Sequence, residues 1–213
     1  MEKAYPVCLD LNHKPCLVTG GGEVALRKVK TLLEYGAVVS VVTMEARSEL
    51  CLLAEENKIS LTIRAYEDGD EDGCFLVYAA TGDTDVNRRI AENCRRQNIW
   101  LNAVDDPPNC DFYVPAQINH GPLSVAVSTA GRSPVLAAHI KDIISRYITE
   151  EYGTLAVLLG EIRTEVNASA SGMEEKKAFY ESLLSEDLIS MLKEQGENKV
   201  RERIKTCISS WSA

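Results

Sequence analysis

"CLVTGGGEVALRKVKTLLEYG", Cys16 to Gly36, is a short apolar run that enters three consecutive glycines and leaves them as a helix. Ala25, Leu26, Val29, Leu32 and Leu33 fall on one helical face, and Gly36 supplies the C-terminal stop. Gly20, Gly22 and Ala25 fit G-x-G-x-x-A at the strand-to-helix junction. The first glycine permits a tight turn, the second lets backbone approach a pyrophosphate, and the small third residue lets helix and strand pack closely. The helix N-terminus then offers unpaired N–H groups and a positive dipole end to phosphate. The stretch therefore reads as a dinucleotide loop, with Gly20, Gly21 and Gly22 against NAD; the plainer reading is the glycine turn of any βα unit.

Working outward, the chain to about residue 112 alternates apolar runs with helical segments, which predicts a parallel sheet covered by helices. "PVCLDL" reads as a short strand, "PCLVTG" as the first strand of the main sheet and "AVVSVV" as the second. The near-continuous apolar character of "AVVSVV" fits burial on both faces. A helix over about 46–57 leads to "SLTIRA", the acidic loop "YEDGDEDG" and the strand "FLVYAA". A helix carrying Val86, Ile90 and Cys94 follows, and then the strand "IWLNAV". Beyond it "DFYVPAQI" and "LSVAVST" alternate like antiparallel strands joined across "NHG". Ser133 is a candidate N-cap and Pro134 a candidate first helical residue. From Tyr152 the pattern is all-helical, with a break at "ASASG" and an amphipathic "MEEKKAFYESLLSEDLISMLKEQ". The expected fold class is α/β: a Rossmann-type parallel sheet domain (1–112), a small α+β dimerisation domain (113–150) and a C-terminal helical domain (151–213).

Composition narrows the function. The net charge is -9, from 23 Lys+Arg against 32 Asp+Glu, with no basic tract, which argues against nucleic acid. No apolar run is long enough for a membrane span, and "MEKAYPVCLD" lacks the segments of a signal peptide. A cytoplasmic protein with no membrane partner is expected. Seven cysteines, an odd number without C-x-x-C spacing, point to buried thiols rather than disulfides or structural zinc. His13, His120 and His139 have no mutual spacing that suits a tight metal site, so they are expected at the surface or in turns and no metal ligands are assigned.

In an open parallel sheet, ligands bind beyond the carboxyl ends of the strands. The acid that would hold the adenosine ribose is displaced, since the second strand ends "VVTMEAR". Glu45 or the loop backbone takes that role, and Arg47 leaves a 2'-phosphate, and hence NADP, open. The alternative for Glu45 is an exposed acid starting a helix. "AATGDTDVN", with Ala80 and Thr81, and "NAVDDPPNCDF", with Asn102 and Asp105, end the next two strands and are expected to face the cofactor. Asp105 is a candidate proton acceptor; alternatively Asp105 and Asp106 only start a turn before Pro107 and Pro108.

"LVTGGGEVALRKVKTLLEYGA", "AATGDTDVN", "NAVDDPPNCDFYVPAQ" and "VSTAGRSPVLA" together resemble the precorrin-2 dehydrogenase / sirohydrochlorin ferrochelatase family, the N-terminal module of sirohaem synthase. The resemblance covers roughly residues 5 to 150 in uninterrupted order. It implies a homodimer that oxidises precorrin-2 to sirohydrochlorin with NAD+, and in some members inserts Fe2+ or Co2+ into the product. By position in the motifs, Asp105 matches the catalytic aspartate and Ser128 a serine of the tetrapyrrole pocket. Gly22, Glu23, Val24, Met44 and Glu45 fall where the family contacts NAD. The wording after the second strand departs from the commoner small residue and proline. A substrate rich in carboxylates on an acidic protein calls for local donors, and Ser128, Thr129, Arg132 and the helix start at Ser133 are the candidates. The alternatives are a solvated cation for Arg132 and an ordinary strand-end hydroxyl for Ser128. The competing class is a non-catalytic NAD or tetrapyrrole sensor on the same fold. The methyltransferase domain fused to some relatives is not expected here.

Overall fold

The computed structural model describes residues 4–169 and 172–211. The chain divides into two units, Met1–Val114 and Pro115–Ala213.

The first unit is built on a five-stranded parallel sheet of order β3-β2-β1-β4-β5. Its strands are β1 (Pro15–Thr19), β2 (Val38–Thr43), β3 (Ile59–Ile63), β4 (Leu76–Ala79) and β5 (Trp100–Ala103). Helices α1 (Glu23–Glu34), α2 (Ser48–Glu55) and α3 (Thr84–Gln97) connect them. Side chains alternate across a strand, so β1 serves two cores at once. Cys16 and Val18 pack with Ala25, Leu26, Val29 and Leu32 of α1 and Leu50 of α2. Leu17 points the other way, into a cluster with Ile90, Ala91 and Cys94 of α3. Burial pushes the Cys16 thiol up to about 11 and the Cys94 thiol up to about 12, which leaves both inert. Strand order reverses between β1 and β4, and the crevice at their carboxyl ends is the ligand position of such a sheet.

One element of this unit departs from the sequence reading. "PVCLDL" is irregular rather than a strand. At the β5 edge of the sheet it is Asp111 that pairs, donating its N–H to Leu101 O at 2.8 Å and accepting from Leu101 N at 2.9 Å. The acidic loop expected between the third and fourth strands forms the crossover from β3 to β4, and it buries Glu71. Tyr66 Oη donates to Glu71 Oε2 at 2.6 Å, and Asn93 of α3 donates to that Tyr66 hydroxyl at 2.8 Å. Burial and the Glu71 carboxylate push the Tyr66 pKa up.

The second unit opens with the hairpin β6 (Ala116–His120) and β7 (Leu123–Val127), followed by α4 (Pro134–Ser145). Ser133 caps α4 by accepting from Leu136 N at 3.2 Å, with Pro134 as the first helical residue. Then come α5 (Glu150–Glu161), α6 (Arg163–Ser169), α7 (Met173–Ser185), α8 (Leu188–Gln195) and α9 (Glu197–Trp211). Leu155, Leu158, Val166, Phe179, Leu183, Leu188, Val200, Ile204 and Ile208 form their common core. The break expected at "ASASG" falls partly on residues 170 and 171, outside the described residues. The long amphipathic stretch divides at Asp187, whose side chain accepts from Ser190 N at 3.1 Å and starts α8. His120, expected at the surface, is half-buried with Nε2 3.1 Å from Ile148 O. Among the described residues no helix is long and apolar enough to cross a membrane.

Gly153 brings α5 against the hairpin, where a Cβ would stand 2.2 Å from His120 O. Gly153→Ala should therefore destabilise this unit by about 1–3 kcal/mol, read as a lower urea midpoint at unchanged m-value. A midpoint equal to wild type would contradict the close approach.

Candidate functional site

The glycine loop sits where β1 and β4 diverge. Gly20 has φ +111, and a Cβ there would lie 2.3 Å from Ala80 O at the end of β4. A Cβ on Gly21 would lie 1.9 Å from Glu45 O, so the loop is equally tight against the segment after β2. Gly22 differs from both, since a Cβ there would meet nothing within 4 Å. Close packing on two sides and open space on the third is the cradle a pyrophosphate needs. Gly22 is also the N-cap of α1, and its carbonyl accepts the first helical bond, from Leu26 N at 3.0 Å. The N–H groups of Glu23, Val24 and Ala25 precede that bond and have no partner within the helix. These residues fit a dinucleotide.

The adenosine end would lie beyond β2. Met44 is 72% exposed there, an apolar side chain with no core to serve. Glu45 is exposed, and its carbonyl accepts from Thr43 Oγ1 at 2.8 Å. Arg47 is held by two carboxylates, 3.0 Å from Glu23 and 3.3 Å from Glu49.

The rim beyond β4 and β5 carries the remaining residues of this unit. Ala80 N donates to Thr19 O at 2.9 Å, which locks the mouth of the crevice. Thr81 Oγ1 donates to Asn87 Oδ1 at 2.6 Å, and Asn87 Nδ2 returns a bond to Thr81 O at 3.1 Å. Asn102 spends its amide on Phe112 O at 2.8 Å, fastening β5 to the segment that follows.

Asp105 and Asp106 are adjacent in sequence and different in circumstance. Asp106 does the turn work: its Oδ2 accepts from Asn109 Nδ2 at 2.7 Å and its carbonyl from Asn109 N at 3.1 Å. Asp105 is exposed at φ +61, and its carboxylate has no hydrogen bond or ion pair among the described residues. The turn around it is closed by Asp106 N donating to Ala103 O at 3.3 Å. A left-handed non-glycine residue costs about 1–2 kcal/mol, less for Asp than for most, so the turn holds this carboxylate out at some expense.

Sequence reasoning misses Lys28. Its ammonium lies 4.7 Å from the centroid of the Tyr78 ring on β4, and burial lowers its pKa. It stands three residues after Ala25 and four before Leu32, so helical spacing alone puts it at the margin of the buried stripe.

In the second unit Ser128, Thr129 and Arg132 share one loop before α4. Ser128 Oγ accepts from Ala130 N at 3.1 Å, and Thr129 Oγ1 accepts from Ser133 N at 3.0 Å. Ala130 and Gly131 are both left-handed, at φ +51 and +77, and Arg132 is exposed.

Three family models match the chain in consecutive order. They are described as putative NAD(P)-binding (residues 7–116), sirohaem biosynthesis protein central (120–147) and sirohaem synthase dimerisation region (151–208). The chain belongs to the sirohaem synthase family. Its first unit is that family's NAD(P)-binding domain. The chain is similar to the siroheme synthase of Thioalkalivibrio sulfidiphilus, 38% identical over 206 residues, covering 97% of this chain and 42% of the relative. It is also similar to the siroheme synthase of Methylococcus capsulatus, 40% identical over 199 residues, covering 93% of this chain and 42% of that one. The chain thus spans less than half the length of these curated relatives. Among solved structures it resembles SirC, precorrin-2 dehydrogenase, at TM-score 0.74 and 26% identity, over 95% of this chain and 100% of that one. A Rossmann-type sheet followed by a small mixed region and a helical region is the order expected from sequence. The dimerisation description falls on 151–208, whereas the resemblance read from sequence puts that role at 113–150.

Proposed function

We propose that this chain acts as a homodimer and oxidises precorrin-2 to sirohydrochlorin with NAD+, on the route to sirohaem. The observation that carries the reading is Asp105: an unengaged carboxylate, held left-handed on the rim of a dinucleotide sheet, beside an Asp106 that does the structural work. The family assignment and the likeness to a precorrin-2 dehydrogenase support it.

The oxidation removes a hydride and a proton from the macrocycle. NAD+, when bound, supplies the hydride acceptor. Gly20 and Gly21 hold the loop shut on Ala80 and Glu45, and Gly22 with the first N–H groups of α1 seats the pyrophosphate. Asp105 accepts the proton at a carboxylate oxygen and passes it to water, so charge and atoms balance as NADH, product and one proton. Ser128 and Arg132 are proposed to hold substrate carboxylates, Arg132 supplying charge, while Thr129, whose hydroxyl donates to Ser133 O and accepts from Ser133 N, shapes the loop that presents them.

Residues 1–112 then bind NAD, 113–150 pair two copies and 151–213 form a helical domain. The pairing surface is α4 and the turn after it, where Val135 on the helix is 81% and Tyr147 in the turn 72% exposed, together with a two-stranded sheet that is marginal by itself. Val135→Asp with Tyr147→Asp should halve the mass seen by sedimentation equilibrium. A dimer that survives both changes would move the interface to another surface.

The function is tested anaerobically with enzymatically generated precorrin-2 and NAD+. NADH accumulating over many turnovers is the expected result. Saturable binding of both ligands without NADH would favour the sensor reading.

A further inference from the structure

The rim beyond β2 and β3 carries two guanidinium groups, and carboxylates already claim both. Arg47 lies 3.0 Å from Glu23 and 3.3 Å from Glu49. Arg64, just past β3, grips Asp70 with Nη1 at 2.8 Å and Nη2 at 2.6 Å. Burial is not what holds Arg47, whose side chain is 44% exposed, and exposed pairs of this kind add little to stability. What they set is the local sign of charge.

The array keeps its place relative to the glycine loop. Gly20 N donates to Val42 O at 2.9 Å and Arg47 N donates to Gly21 O at 3.1 Å. With Gly21 pressed on Glu45 O, the segment from Met44 to Arg47 and the pyrophosphate cradle form one piece of backbone. A dinucleotide seated on Gly20–Gly22 turns its adenosine ribose toward this segment. It meets Glu23 and Glu49 paired to a single Arg47, with the exposed Glu45 two residues before that arginine. A ribose 2'-hydroxyl can donate to a carboxylate there. A 2'-phosphate brings a further charge of about -1.5 to -2 into an excess of negative charge and finds both arginines matched.

We propose that the Glu23–Arg47–Glu49 ion-pair chain sets the cofactor choice: it neutralises the one arginine placed to receive a 2'-phosphate and so makes the site reject NADP. The inference rests on the dinucleotide site of the proposed function. It reverses the role that Arg47 suggests in the sequence, where a lone arginine after the second strand leaves NADP open.

The test is calorimetric titration of NAD+ and of NADP+ into the full chain, at low ionic strength where surface charge is least screened. Wild type should bind NAD+ at least about tenfold more tightly than NADP+. The Glu23→Gln/Glu49→Gln double variant should move that ratio about tenfold toward NADP+, and adding Arg47→Ala should remove the gain. Equal affinity of wild type for the two, or an unchanged ratio in the double variant, would overturn the inference. Wild type that binds neither dinucleotide would overturn the proposed function, and this inference with it.

Discussion

Asp105→Asn should fold like wild type, bind NAD+ like wild type and lose at least about 100-fold in turnover, the lower end of what a positioned base contributes. The substitution is mild for the backbone. Asn is among the few residues that accept φ near +61, so the turn that closes on Ala103 keeps its shape. Nothing structural is lost either, because the turn's side-chain bond belongs to Asp106. Asp105→Gly sharpens the contrast by relieving the left-handed strain, which should raise stability by about 0.5–1 kcal/mol while turnover falls just as far. Stability and activity thus move in opposite directions at one position, the behaviour of a residue held for chemistry. Turnover within twofold of wild type in the Asn variant would remove Asp105 from the mechanism.

The second large effect separates two neighbouring glycines. Gly21→Ala drives a methyl into Glu45 O, where a Cβ would stand at 1.9 Å, so the segment after β2 must move away from the loop. That should cost about 1–3 kcal/mol of stability and weaken NAD+ binding together. Gly22→Ala meets no protein atom within 4 Å and sits at φ -82, where alanine is at ease. Its thermal midpoint should match wild type, yet its methyl occupies the open side of the cradle. NAD+ affinity should fall at least about tenfold, the size of one lost backbone contact to phosphate. Calorimetry on both variants checks the pair; a Gly22→Ala protein that binds NAD+ as tightly as wild type would contradict the seating of the pyrophosphate.

The sheet was legible because its signals are local. β1, the glycines and α1 follow one another within a single stretch, and the apolar stripe of α1 falls on the buried Ala25, Leu26, Val29 and Leu32, with Leu33 half-buried at its margin. The same holds for Ser133 and Pro134 at the start of α4. What escaped the sequence depends on partners far along the chain. Glu71 lies in an acidic loop, and its burial is made tolerable by bonds from Tyr66, Gln97 and Gly69 N, with Asn93 of α3 donating to the Tyr66 hydroxyl. "PVCLDL" has the apolar alternation of a strand, but alternation cannot show whether a sheet edge is there for it to pair with, and it stays irregular. At the site, the glycine loop and the β4 and β5 ends were readable from the motif and the rule of carboxyl ends. Which of two adjacent aspartates is unengaged was not, since only the backbone angle and the bonds of Asp106 separate them. Arg47 shows the same limit: its presence is visible in sequence, its two carboxylate partners are not.

The most direct measurement of the central claim records NADH and the tetrapyrrole spectrum in one anaerobic cuvette as wild type consumes precorrin-2. The account predicts one NADH for each sirohydrochlorin formed, with no product when NAD+ is omitted. Sirohydrochlorin formed without NADH, or no product although both ligands bind, would contradict it.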